Sequence, residues 1–279
     1  MISDNQTNKV YFSELLKSDL RFTATCNEIT KILDSYEVRY EFLDKTKDIW
    51  ARDYMPIQVS EDKFVEYRYD PDYLQGTEKG DRDSKTYSDM VCDRLNLKTT
   101  KTDIILDGGN VVKSKNCVIL TEKIVQENQF WYVKPKLIKH LEELFEVEHV
   151  VLVPWWKKEP FGHADGMLRF IDGETVLVNS IEKSPNLERR LKEHGLKFEY
   201  LRYNVEKENE NYWAYINFLQ TKDLILLPKF NAAEDEQAFE KIKTYYPDYA
   251  LNNRIAQVDM TEIVKVGGAL NCISWTIKK

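Results

Sequence analysis

Long apolar runs are missing from this 279-residue chain, and nothing in it reads as a membrane-spanning helix. Its opening residues, Met1-Ile2-Ser3-Asp4-Asn5-Gln6, lack the basic and apolar blocks of a secretory leader, so a cytoplasmic protein is expected. Cysteine is sparse. Cys26, Cys92, Cys117 and Cys272 are scattered without a CxxC pair, which argues against a disulfide framework or a zinc ribbon and for four free thiols. An excess of basic charge is also missing: the net charge of −7 disfavours a nucleic-acid surface and is compatible with a small cationic substrate. Low-complexity linkers are absent too, and we expect one closed domain over residues 1–279.

What is present is an alternation of short β-rich runs and amphipathic stretches. Strands are expected at Ile49 to Val59, Lys63 to Tyr69, Ile104 to Val112, Asn116 to Thr121, His149 to Pro154, Met167 to Ile171 and Thr175 to Asn179. Others follow at Phe198 to Tyr203, Ala214 to Gln220, Leu224 to Pro228, Arg254 to Val258 and Ala269 to Ile277. Helices are expected at Thr23 to Tyr36, Tyr87 to Asn96, Pro135 to Glu146, Asn186 to His194 and Ala232 to Tyr246. Turn chemistry at Ile171-Asp172-Gly173-Glu174 and Gln220-Thr221-Lys222-Asp223 marks two hairpins. The recurring order is hairpin, helix, strand.

Five polar segments punctuate that order at nearly constant intervals. Asp53, Asp107, His163, Asn217 and Cys272 lie 54, 56, 54 and 55 residues apart. Such regularity suggests five ββαβ units closing into a ring, each contributing one polar residue to a common centre.

The residues so delivered form a chemical set. Cys272 follows Gly267-Gly268-Ala269-Leu270-Asn271, where glycines allow close turns, although a strand cysteine is more often a small core residue. Among four histidines only His163 is bracketed by glycine and a carboxylate, in Gly162-His163-Ala164-Asp165-Gly166. On a strand, His163 and Asp165 would share a face. Aspartates beside glycine, such as Asp107, commonly serve turns. If Asp53, Asp107 and Asp165 instead face one centre, they suit a planar guanidinium, which has five donors and no acceptor. Each charge-assisted bond would contribute about 1.5 to 3 kcal/mol. Trp50 is placed to cover such a cation with its ring, or to be a buried core tryptophan.

Trp50-x-Arg52-Asp53-x-x-Pro56, Asp107-Gly108-Gly109-Asn110, Gly162-His163-x-Asp165-Gly166 with Arg169-Phe170, Tyr215-x-Asn217-Phe218 and Gly267-Gly268-x-x-x-Cys272 resemble, in order, the markers of a known group. The group is the agmatine deiminase and bacterial-type peptidylarginine deiminase family of guanidino-group-modifying enzymes. The resemblance implies the pentein fold, an α/β propeller with fivefold pseudosymmetry. It also implies a cofactor- and metal-independent hydrolase in which Asp53 and Asp165 clamp a guanidinium and Asp107 adds charge. Cys272 would attack the central carbon and His163 would move protons. Trp50 and Asn217 fall on substrate-side markers. The expected partner is a small guanidino compound or an arginine peptide.

The chain departs from the family pattern in having Asp107 where glutamate is usual, Asn271 where histidine precedes the nucleophile, and Trp275 in place of a polar residue. Related peptidylarginine deiminases resemble an arginine-bearing segment here occupied by Tyr67-Arg68-Tyr69-Asp70. Arg68 would favour a substrate carboxylate; Asp70 or Asp72 would equally receive the amine of agmatine. An amidinotransferase, a non-catalytic binding pentein and a cysteine protease or amidase are the competing readings.

Overall fold

The computed structural model describes residues 1–76, 82–155, 161–179, 184–205 and 211–279. Fifteen strands fall among them: β1 (Lys9–Ser13), β2 (Arg39–Leu43), β3 (Ile57–Gln58), β4 (Phe64–Arg68), β5 (Thr100–Ile105), β6 (Val112–Lys113), β7 (Cys117–Thr121) and β8 (His149–Val153). The series continues with β9 (Leu168–Phe170), β10 (Thr175–Asn179), β11 (Lys197–Leu201), β12 (Leu219–Gln220), β13 (Ile225–Lys229), β14 (Ile255–Asp259) and β15 (Ser274–Ile277). They form five three-stranded sheets: β3-β4-β5, β6-β7-β8, β9-β10-β11, β12-β13-β14 and β15-β1-β2. In every sheet the first strand is antiparallel to the second and the second is parallel to the third. A parallel pair requires a crossover, and a helical segment supplies it in each unit.

The burial pattern follows from that layering. Second strands are largely buried, and in β7 every residue of Cys117-Val118-Ile119-Leu120-Thr121 is buried. The third strands β2 and β11 alternate, with Arg39 and Glu41 exposed beside half-buried Tyr40 and Phe42 in β2. The helix Lys134–Phe145 sets Leu137, Leu141 and Phe145, all fully buried, on one stripe, and ends at Glu146 in the left-handed region (φ 53°). The helix Pro185–Glu193 is capped by Ser184, whose side chain accepts from the Leu187 N–H, with proline in the first turn.

The hairpin turns form as the sequence predicts. Asp172 Oδ1 accepts from the Glu174 and Thr175 N–H groups, and Thr221 Oγ1 from those of Asp223 and Leu224. The sequence reading misses β1 and β2, whose short runs are interrupted by Lys9, Arg39 and Glu41. These two strands complete the fifth sheet with β15, so the two ends of the described chain share one sheet. Trp275 belongs to that closure: its indole N–H donates to the Pro56 carbonyl at 2.8 Å and its ring packs on Tyr11.

A further correction concerns the polar segments. Expected strand residues Ala51–Tyr54 form a helical turn, and Gly108–Asn110, Ala164–Gly166 and Tyr212–Ile216 form 3₁₀ turns. Each turn precedes the first strand of its unit. His163 is the residue before its turn and Asp165 lies inside it, so the two do not share a strand face.

Candidate active site

The turns are neighbours in space, and their close approach depends on two glycines. A Cβ at Gly109 would lie 2.6 Å from Asp53 Oδ1 and 2.7 Å from His163 Nδ1, so no other residue fits between these two side chains. The Gly109 N–H donates to Asp53 Oδ1 at 2.9 Å. A Cβ at Gly268 would lie 2.2 Å from the Trp50 ring. Trp50 therefore lies on the loop that carries Cys272.

That loop is fixed by Asn217. Its Oδ1 accepts from the Asn271 N–H (3.0 Å), the Cys272 N–H (3.3 Å) and the Cys272 thiol (3.4 Å), while its Nδ2 donates to the Asp165 carbonyl (3.4 Å). Asp165 Oδ2 is 3.8 Å from Cys272 Sγ and accepts from Asn271 Nδ2 at 2.6 Å. The residue that replaces the expected histidine thus holds an acid beside the sulfur. Arg52 completes the bracing, its N–H donating to the Cys272 carbonyl and its Nε to that of Asn271.

The imidazole has its own carboxylates. His163 Nε2 is 3.0 Å from Asp107 Oδ2, and Nδ1 is 3.8 Å from Asp53 Oδ1. Asp107 Oδ2 also accepts from Lys123 Nζ at 3.0 Å. Lys123 is 1% exposed in its side chain and reaches Glu127 (3.3 Å) and Asp72 (3.4 Å) as well. Sequence reasoning did not single out Lys123. The signal available was a lysine two residues after the buried strand Cys117–Thr121, with Glu127 one helical turn onward.

Burial and charge set the protonation states. Asp53 is pushed up to about 7 by burial, with the Asp107 and Asp165 charges adding to the rise and His163 and the Gly109 N–H opposing it. Burial, followed by the charges of Asp165 and Asp53, drives the Cys272 thiol well above its ordinary range. Burial also raises Asp107, but the hydrogen bond and charge of His163, with Lys123, outweigh it and hold that carboxyl below its usual value. At neutral pH the sulfur is a thiol facing acids.

Cys272, His163, Asp53, Asp107, Asp165 and Asn217 therefore meet in one buried cluster, each no more than 8% exposed. Arg68 does not join it through any described contact: half exposed at the end of β4, it pairs with Asp70 Oδ2 at 2.5 Å. Asp70 also takes Lys85. Among the described residues no group of three or more His, Cys, Asp or Glu is arranged to hold a metal ion. No helix among them is long and apolar enough to cross a membrane.

The family model for Porphyromonas-type peptidyl-arginine deiminases matches residues 13–277, nearly the whole chain. The chain belongs to that family. Among curated relatives, an Enterococcus faecalis protein is 25% identical over 228 residues, covering 66% of this chain and 60% of its own length. The chain thus spans less than two thirds of the curated relatives it first matches. Among solved structures, the C. jejuni agmatine deiminase superposes with a TM-score of 0.76 at 18% identity, over 100% of this chain and 95% of that one. The agmatine deiminase of Enterococcus faecalis gives 0.72 at 20%, over 100% and 95%. A dimethylarginine dimethylaminohydrolase gives 0.62 at 13%, over 97% and 100%. These likenesses establish the pentein fold, the fivefold α/β propeller that the spacing predicts.

Proposed function

We propose that this member of the deiminase family is a cysteine-dependent hydrolase that converts a guanidino group to a ureido group and ammonia, with agmatine as the first substrate to test. The observation that carries the reading is a buried thiol 3.8 Å from one carboxylate, in a cluster whose other acids flank an imidazole. A guanidinium offers only donors, and the buried Asp107 Oδ1 and Asn271 Oδ1 have no hydrogen-bond partner. An apolar or acidic ligand would leave those acceptors stranded.

In this mechanism Asp53 and Asp165 bind opposite sides of the guanidinium. The cation offsets the two charges that hold the sulfur protonated, so its arrival favours the Cys272 thiolate. Sulfur attacks the central carbon and forms the C–S bond. His163 protonates the departing amine, ammonia leaves, and a covalent thiouronium remains. His163 then takes a proton from water, hydroxide adds to the same carbon, and the C–S bond breaks to give the ureido product and the thiolate. Asp107, occupied by His163 and Lys123, orients the imidazole and balances its charge. Asn217 and Asn271 position the nucleophile loop and Asp165.

Agmatine is favoured over arginine because Arg68 is engaged by Asp70, whereas Asp72, largely exposed, stands beside Lys123 at the cluster. A carboxylated substrate would need a cation that Arg68 does not offer in this arrangement. Assay of ureido product from agmatine, arginine and arginine peptides, with Cys272→Ala as blank, tests the assignment. Ureido product formed equally by the Ala variant would overturn it, and product from a peptide alone would transfer it to peptidyl-arginine. An added amine acceptor that diverts the amidino group would instead identify a transferase.

A further inference from the structure

The first strands of the units run away from the candidate active site, and a cavity of about 230 Å³ lies at their far ends. Its walls include Lys113 at the end of β6, Arg169 in β9, and Asp4 from the amino-terminal turn. Arg52, Asp165 and Asn271 also line it, so it reaches the reverse side of the Cys272 cluster. The three basic side chains are nine-tenths or more buried.

Their charges are incompletely matched. Asp4 pairs with Arg169 Nη2 at 2.9 Å and with Lys113 Nζ at 3.5 Å. Asp165 is engaged by Asn271 Nδ2 at 2.6 Å. Arg52 has no carboxylate within ion-pairing distance among the described residues, although its Nε reaches the Asn271 carbonyl at 3.3 Å. Arg52 Nη2 and Arg169 Nε are buried donors without a hydrogen-bond partner, and Asp4 Oδ1, ion-paired with Lys113 Nζ at 3.5 Å, accepts no hydrogen bond. An unmatched guanidinium away from water is costly unless a ligand satisfies it. The charge of Lys113 is itself disfavoured by burial and by Arg52 and Arg169, with Asp4 opposing.

We propose that this cavity binds a protonated tetrahedral oxyanion, phosphate in its hydrogen-phosphate forms, as a site separate from the thiol. The reason for this chemistry is the mixture of stranded groups. Guanidinium and ammonium donors match phosphate oxygens, and a phosphate that keeps an O–H also donates to an acceptor such as Asp4 Oδ1. Sulfate at neutral pH has the same shape and no proton to donate. The site therefore selects phosphate over sulfate, with Asp4 as the discriminating residue and Arg52, Lys113 and Arg169 as the anion's hold.

The experiment is calorimetric titration of the whole chain with phosphate and with sulfate, at pH 7 and matched ionic strength. Saturable phosphate binding at least tenfold tighter than sulfate is expected. Lys113→Gln should weaken phosphate at least tenfold, with Lys113→Arg restoring most of it. Asp4→Asn should bring sulfate to within about threefold of phosphate. Circular dichroism reports whether each variant is folded, and the phosphate-to-sulfate ratio of the wild-type protein stands as a test should a variant fail. No saturable phosphate binding, equal affinity for sulfate, or wild-type affinity in folded Lys113→Gln overturns the proposal. A phosphomonoester such as glycerol 3-phosphate is titrated in parallel. This ester is mostly a dianion without an O–H at pH 7, so it should bind about as weakly as sulfate, and phosphate-like affinity overturns Asp4 as the discriminating acceptor.

Discussion

Asp53 shows how burial turns a charged residue into a pH-dependent one. Its folded-state value of about 7 stands above the ordinary 3.8. The stabilising contribution of this raised group is complete below the unfolded value and is lost as pH rises through about 7. Asp53→Asn removes that loss, so its stability relative to wild type should climb between about pH 4 and 8 by up to roughly 4 kcal/mol. Urea unfolding at several pH values measures it, and a flat difference would show that Asp53 is not held in its acid form. Lys123 makes the opposite case. Buried among Asp107, Glu127 and Asp72, it carries the compensating charge, and Lys123→Met should destabilise the fold by about 3 to 5 kcal/mol. Cys272→Ala should lower ureido formation by at least about a thousandfold, since covalent catalysis has no other sulfur in the cluster. The remaining thiols, Cys26, Cys92 and Cys117, are all buried, and burial raises each of them.

At the scale of elements, the geometry of the proposed site depends on turns that pack without side chains between them. Gly109 is the clearest instance, since a methyl group there collides with both Asp53 and His163. Gly109→Ala should keep the circular dichroism of the fold while lowering kcat by roughly a hundredfold or more, because misplacing reacting groups by about an ångström has that effect. Unchanged kcat would show that His163 and Asp53 need not meet across this glycine. The longer helices and four of the five second strands, all but β1, were legible because burial imposes a period: Leu137, Leu141 and Phe145 report a helix, and Val118 to Leu120 report a strand covered on both faces. The turns were not. Asp53, Asp165 and Asn217 adjoin apolar residues that read as strand, and only the ring packing of neighbouring units bends them into helical turns.

At the scale of the molecule, the propeller is completed by strands from opposite ends of the described chain. Phe12, fully buried in β1, lies opposite Ser274 of β15 and Phe42 of β2. Phe12→Ala should cost about 3 to 5 kcal/mol, comparable to other large buried aromatics. If the ring unfolds as one unit, that loss appears in a single transition seen identically by fluorescence and circular dichroism. A separate early transition for this sheet would show that the other four stand without it.

The sequence by itself determined the period: five polar segments about 55 residues apart, the order of hairpin, helix and strand, and the candidate residues Cys272, His163 and the aspartates. Those features are local or repetitive, and burial writes them into spacing. Only the tertiary structure decided the partners. It set Asp107 against His163 and Lys123, Asn271 against Asp165, and Arg52 against the Asn271 carbonyl. Those pairings join residues up to 219 apart, through charge and close contact between units, and no periodicity along the chain encodes which acid meets which base.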